Sequence, residues 1–191
     1  MADVVLFHHV QGLTAGVRRL ADELRAGGHT VYTPDFFQGV NLGSIDEGFA
    51  AVRARGEGAV DAWADTVVAK LPPEVVYAGI SLGVMPAQRL AQTRPGAAGA
   101  LLLEACAPAS AFGDRWPAGV PVQVHGMEHD PFFGLEGDVD AARELVAQAD
   151  SGELFVYPGD VHLFTDSTLP SYDEAATAQV VERALAFLSR V

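Results

Sequence analysis

The sequence has a single cysteine, Cys106, so no disulfide can close within the chain, and stability has to come from a packed core. It is also poor in positive charge. Twelve lysines and arginines face 25 aspartates and glutamates, a net charge of -13. Such a surface repels the phosphates of nucleic acids and anionic lipid headgroups, which argues against both as partners held by charge. No apolar run approaches the length of a membrane-spanning helix. The opening MADVVLFHHV lacks the basic start and long apolar stretch of a secretory leader, so the sequence reads as that of a cytoplasmic protein. There is no internal repeat, low-complexity tract or linker.

What is present is the composition of a globular protein: 191 residues, of which 49% are apolar and 19% charged. That length predicts one domain, residues 1–191, large enough for a proper core. Short apolar runs recur at Val4–Phe7, Thr30–Thr33, Val75–Ile80, Ala100–Glu104, Val120–His125 and Leu154–Tyr157. Continuous runs of this kind suit strands covered on both faces, as in a parallel sheet. Helical periodicity separates most of them, over Val17–Arg25, Ala59–Leu71, Gly83–Thr93, Asp138–Ala147 and Asp173–Val191. Asp138 and Asp173 are expected to cap their helices, because a carboxylate accepts from the orphan amides of a first turn. Gly27–Gly28 and Pro95–Gly96 are stop signals. Strand–helix alternation along the whole chain predicts an α/β fold: a mostly parallel sheet of about six or more strands, with helices on both faces. The segment Gly39–Gly56 is the least regular and is expected over the carboxyl edge of the sheet, where such folds bind ligands.

Within this frame YAGISLGVM stands out, because Gly79, Ser81 and Gly83 form a G-x-S-x-G pattern between a strand and a helix. That context is the one in which a serine sits exposed on a sharp turn as a nucleophile. The alternative is a glycine-rich turn whose serine only caps a helix. With Ser81 as nucleophile, the N–H of Leu82 would face a developing oxyanion, and the N–H of Val10, in the loop after the first strand, would be the second donor. Gly12 lets that loop turn sharply. The base is expected to be His162, in the loop after the last strand, which suits the chain order serine, acid, histidine. The acid is Asp130, with Glu104 as second choice and Asp160 and Glu128 as further rivals. If Asp130 is the acid, replacing Glu104 by Gln should be nearly silent.

His125 to His129 also match H-x-x-E-H, a zinc-hydrolase signature. That chemistry needs both histidines on one helix face, whereas here a glycine follows the first and Pro131 comes soon after the second. The reading is of no metal site and no cofactor.

With these residues in place, the chain resembles the dienelactone hydrolase family of α/β-hydrolases over nearly its whole length. GLTAGVRRLADELRAGGHTVYTPDFFQG is similar to that family's first helix and second strand, GISLGV to its elbow, GMEHDPF to its acid loop and YPGDVHLF to its histidine loop. The resemblance implies a single-domain α/β-hydrolase with catalytic Ser81, Asp130 and His162 and oxyanion donors Val10 and Leu82. It implies a serine-dependent hydrolase of small ester or lactone substrates, acting as a monomer or homodimer without a cofactor. Alternatives on the same residues are a lyase, an acyl transferase, or a non-catalytic small-molecule-binding protein.

The departures from the family concern the substrate. Ser81 stands where the family typically has cysteine, and Gly83-Val84 replaces Gly-Gly. His9 stands where dienelactone-cleaving members carry glutamate, and Asp166 where they can carry an arginine for the substrate carboxylate. His9 is therefore expected to touch substrate. Arg53 and Arg55 are the nearest candidates for a compensating cation.

Overall fold

The computed structural model describes residues 1–191. In chain order the elements are β1 (Asp3–Phe7), α1 (Ala15–Ala26), β2 (Thr30–Tyr32), α2 (Ile45–Ala54), α3 (Ala59–Val68), β3 (Val76–Ile80), a 3₁₀ turn (Ser81–Gly83) and α4 (Val84–Thr93). They continue with β4 (Gly99–Leu103), β5 (Val122–Met127), α5 (Asp138–Gln148), β6 (Gly152–Tyr157) and α6 (Glu174–Leu188). The six strands form one sheet in the order β2-β1-β3-β4-β5-β6, with every neighbouring pair parallel. β1 and β3 are adjacent although β2 intervenes in sequence, so the strand order reverses there. At such a reversal the loops leaving neighbouring strand ends diverge to opposite faces, and a crevice opens at the carboxyl edge.

Helices cover both faces, which is why the central strands are apolar along their whole length. One core of 23 buried residues joins α1 and α6 to the sheet through Val17, Leu20, Val180 and Phe187. A second core of 22 buried residues joins α3, α4 and α5 through Ala64, Val84, Leu90 and Leu145. Successive residues of β3 feed the two cores alternately: Val76, Ala78 and Ile80 enter the first and Tyr77 the second. Burying one such large apolar side chain stabilises by roughly 1.5–3 kcal/mol.

Two sequence expectations change. Asp138 does not cap α5: the cap is Gly137, with φ 101° and no side-chain hydrogen bond. Asp138 instead turns its Oδ2 to accept the Cys106 N–H at 3.0 Å, tying α5 to the loop after β4. Asp173 caps α6 as expected, accepting from the Ala176 amide at 2.9 Å. The second change is in the segment Gly39–Gly56, which contains a full helix, α2. Its Ser44 accepts from the Glu47 N–H at 3.2 Å, while Glu47 reaches back to accept the Gly43 N–H at 2.8 Å. That S-x-x-E pattern was readable in the sequence as a capping box.

α2 packs tightly on the loop after β1. A Cβ added at Gly48 would lie 2.4 Å from the Val10 carbonyl oxygen, so only glycine permits the approach. The Leu42 amide also donates to the Gln11 carbonyl at 2.9 Å. The irregular segment and its helix thus brace the carboxyl edge of β1. No helix is long and apolar enough to cross a membrane.

Candidate active site

β3 runs buried to Ile80, and the chain then reverses into α4 through Ser81. Ser81 has φ 50°, a left-handed conformation that is costly for any residue with a Cβ. The turn is tight for an identifiable reason. A Cβ on Gly79 would lie 2.2 Å from the Gly83 carbonyl oxygen, and one on Gly83 would lie 2.2 Å from that of Phe7. Both glycines are therefore steric requirements, and the packing they allow holds Ser81 in its strained form.

The loop after β6 brings His162 over this turn. Its Nε2 lies 2.8 Å from Ser81 Oγ, and its Nδ1 lies 2.7 Å from Asp130 Oδ2. Asp130 is completely buried in the turn after β5, and its other oxygen accepts the amides of Phe132 at 2.8 Å and Phe133 at 3.3 Å. An ionised carboxylate at Oδ2 selects the tautomer with the proton on Nδ1. Nε2 is then bare and accepts the Ser81 hydroxyl proton. The Phe132 ring packs 4.6 Å from the imidazole and covers it. A hydroxyl hydrogen-bonded to an imidazole, itself hydrogen-bonded to a buried carboxylate, is an arrangement that can activate the hydroxyl as a nucleophile.

Asp160 and Glu128, the distant rivals for the acid, are exposed and make no bond to His162. Glu104 directly follows β4, the strand between those that lead to Ser81 and Asp130. It is fully buried, and burial raises its pKa, but its Oε1 is taken by Thr165, at 3.1 Å from the amide and 2.6 Å from the hydroxyl. Ser81, Glu104 and Leu163, the residue after His162, all have positive φ, at 50°, 66° and 62°. Three of the four non-glycine residues with positive φ are therefore Ser81, the residue after β4 and the residue after His162, and such strain of about 1–3 kcal/mol each persists only where the surrounding packing enforces it.

The loop after β1 lies on the other side of Ser81. Gly12, at φ 106°, turns it back so that its amide donates to the His9 carbonyl at 3.0 Å. The Val10 amide donates to no acceptor of the protein, and the Leu82 amide lies in a first helical turn, where amides have no intrahelical acceptor. His8 and His9 in this loop are structural. His8 donates from Nδ1 to the His9 carbonyl at 2.7 Å and accepts the Phe36 amide at Nε2 at 3.0 Å. Burial lowers its pKa to about 4, so it stays neutral.

His9 does not meet the expectation of a substrate contact. It is wholly buried, with Nε2 at 2.8 Å from Asp166 Oδ2 and Nδ1 accepting the Gln11 amide at 3.2 Å. Both ring nitrogens are therefore occupied inside the protein. Asp166 is likewise turned inward, with hydrogen bonds from the Thr14 and Thr168 hydroxyls at 2.5 and 2.6 Å. Burial by itself would raise its pKa. The bonds from His9, Thr14 and Thr168 outweigh that and hold the carboxyl well below its ordinary range. Its charge does not face a substrate.

Of Arg53 and Arg55, the latter is engaged within the protein. Its guanidinium stacks 4.6 Å from the Phe36 ring centroid and donates to the Phe36 carbonyl. Arg53 lines a cleft of about 400 Å³ beside the turn, together with Val52, Val60, Leu82 and Met85. Neither this cleft nor a cavity of about 500 Å³ between α1 and α6 has a wall formed by Ser81, Asp130 or His162. The cleft at Leu82 borders the residue that follows Ser81. His125 is fully buried in β5, its nitrogens 2.8 Å from the Tyr157 hydroxyl and 2.8 Å from Gln123 Oε1, while His129 is exposed in the turn beyond.

Among solved structures, a dienelactone hydrolase-like promiscuous phosphotriesterase from metagenomic libraries matches all of this chain and 86% of its own, with a TM-score of 0.73 and 17% identity. The dienelactone hydrolase of Anabaena variabilis aligns over 99% of this chain and 86% of its own, with a TM-score of 0.62 and 15% identity. Esterase 2 of Thermogutta terrifontis, solved phosphoramylated by tabun, covers 99% of this chain and 83% of its own, at a TM-score of 0.65 and 17% identity. At such identities the likeness is one of fold, that of the α/β-hydrolases. The sequence profile of the dienelactone hydrolase family, however, matches residues 1–191, the whole chain, and the chain therefore belongs to the dienelactone hydrolase family.

Proposed function

We propose that this chain is a serine-dependent hydrolase of small ester or lactone substrates, working through an acyl-enzyme on Ser81. The observation that carries the reading is the position of His162, within hydrogen-bonding distance of Ser81 on one side and Asp130 on the other. Ser81 Oγ attacks the carbonyl carbon as His162 Nε2 takes its proton. The carbonyl π electrons move onto oxygen, and the amides of Val10 and Leu82 stabilise the oxyanion as it forms. Asp130 stabilises the imidazolium without taking its proton. When the intermediate collapses, the alkoxide leaves and receives the proton from His162. Water then repeats the sequence against the acyl-enzyme, releasing the acid and restoring Ser81. The cleft beside Leu82, where Val52, Val60 and Met85 lie among Arg53, Glu57 and Asp61, has room for a short acyl or alcohol group.

The test pairs labelling with turnover. A fluorophosphonate probe should label the wild-type protein at Ser81 and leave Ser81→Ala unlabelled, with turnover of a short-chain p-nitrophenyl ester lost in parallel. The esterase relative phosphoramylated by tabun supports this choice of probe. Asp130→Asn should lower kcat by about 10³–10⁴-fold with little change in KM, because the tautomer and the imidazolium suffer while substrate binding does not. Ester turnover by Ser81→Ala at the wild-type rate would refute the mechanism. Transfer of the acyl group to an added alcohol in preference to water would reassign the chain as an acyl transferase.

A further inference from the structure

The buried carboxyl of Glu104 has no place in the mechanism above, yet it lies under it. Leu103 pairs in register with Ile80 on one side and His125 on the other. The next residue, Glu104, therefore stands beside Ser81 and donates its own amide to the His125 carbonyl at 2.7 Å. Its side chain crosses to the loop that carries His162. There Oε1 accepts both the amide and the hydroxyl of Thr165, at 3.1 and 2.6 Å. Thr165 is itself 2% exposed. These two bonds fasten the segment just beyond His162 to the strand just beside Ser81.

The second oxygen, Oε2, is buried and has no hydrogen-bond partner. No Lys, Arg or His makes a salt bridge with this carboxyl, in contrast to Asp130 and Asp166. An ionised carboxylate without a cation, with one oxygen unsolvated, is expensive inside a protein. A neutral acid is cheaper to bury, since its Oε2–H leaves one uncharged donor unpaired where the ionised form would leave a bare charge, and Oε1 keeps both bonds from Thr165. Burial accordingly pushes Glu104 upward, against the opposing pull of His162, Thr165 and His9.

We propose that Glu104 is a positioning residue: a neutral carboxylic acid that, by holding Thr165 through Oε1, sets the imidazole of His162 over Ser81. This rests on the serine mechanism proposed above. Glu104 touches neither substrate nor the reacting atoms. It acts through the loop, and its neutrality keeps a second negative charge away from the imidazole. Asp130 is then the one carboxylate that tunes His162.

The test compares Glu104→Gln, Glu104→Leu and Thr165→Val with wild type, reading kcat and KM on a p-nitrophenyl ester, the rate of fluorophosphonate labelling, and the pH profile of kcat/KM. Leu keeps the bulk but offers Thr165 no acceptor. It should lower kcat and the labelling rate together by about tenfold or more, with KM within about threefold. Thr165→Val removes only the hydroxyl donor and should lower both by a smaller factor of about three to ten. It also serves as the informative variant if Glu104→Leu does not fold. Gln restores a neutral acceptor and should bring kcat back to within about threefold of wild type, with the acid limb of kcat/KM unmoved. Wild-type kcat and labelling in both Glu104→Leu and Thr165→Val would overturn the clamp. An acid limb in Glu104→Gln displaced downward by about one pH unit would overturn the neutral state, since it would show an ionised Glu104 supporting the imidazolium. Ser81→Ala separates the two readings. If it still turns over ester, the serine mechanism fails and this inference with it. If it is inactive while the Glu104 and Thr165 variants match wild type, only the inference fails.

Discussion

His9 and Asp166 are 157 residues apart in sequence and 2.8 Å apart in the fold, both side chains wholly buried. One follows β1 and the other lies in the histidine loop after β6. Their pairing ties the loop that carries Val10 to the loop that carries His162. Asp166→Ala would leave His9, Thr14 and Thr168 without their shared acceptor. We expect a loss of about 1–3 kcal/mol for each buried donor left unpaired, measured by urea unfolding. Because the native state holds Asp166 below its ordinary value of 3.8, its contribution is complete above that pH and is lost as the pH falls towards the native value. The variant should therefore lose stability less steeply in acid.

The same pairing bears on substrate charge. With Asp166 and His9 satisfied inside the protein and Arg55 stacked on Phe36, the cation left at the Leu82 cleft is the exposed Arg53. An exposed cation is well screened and holds an anion weakly. Neutral esters are expected to have the higher kcat/KM than matched anionic esters at pH 7.5, with little dependence on salt. A strong preference for the anion, abolished by salt and by Arg53→Gln, would show that Arg53 recognises substrate.

Gly48 in α2 touches no part of the proposed chemistry, yet a Cβ there would lie 2.4 Å from the Val10 carbonyl and 2.8 Å from Val10 Cγ2. Gly48→Ala should displace the Val10 peptide and with it the proposed oxyanion donor. We expect kcat to fall by about tenfold to a hundredfold with KM nearly constant, the signature of a donor that acts on the transition state. Gly56→Ala is the contrasting control, since no atom lies within 4 Å of its added Cβ. Its left-handed φ of 91° should cost stability and leave kcat at the wild-type value.

The pH dependence of stability should carry the mark of His125. Burial lowers its pKa from 6.5 to about 3, assisted by the charge of Arg183. Between those values the unfolded chain binds a proton that the native protein does not. Stability is thus complete above pH 6.5 and declines as the pH falls through that window. His125→Phe should flatten this decline. At pH 7 it should be less stable than wild type by about 1–3 kcal/mol, because the Tyr157 hydroxyl and Gln123 Oε1 lose their partner. Unfolding curves at pH 4.5 and 7 for both proteins measure the difference.

The parallel α/β frame was legible because its signals are local. β3 and β4 read as apolar runs since both their faces are buried, and Gly79 and Gly83 flank Ser81 because the turn admits no side chain. α2 carried an equally local signal, Ser44 followed by Glu47, outweighed in reading by the glycines around it. Residue types and chain order sufficed to nominate Ser81, Asp130 and His162. What no local pattern encodes is which polar groups meet after the chain folds. His9 in the loop after β1 reads as a substrate contact until the tertiary structure turns it onto Asp166, and Glu104 reads as a rival acid until Thr165 claims its oxygen. Side-chain period and turn chemistry act over a few residues and are written in the sequence itself. Burial, hydrogen-bond partners and proton affinity depend on distances between loops far apart in the chain, and only the packing of the sheet decides those.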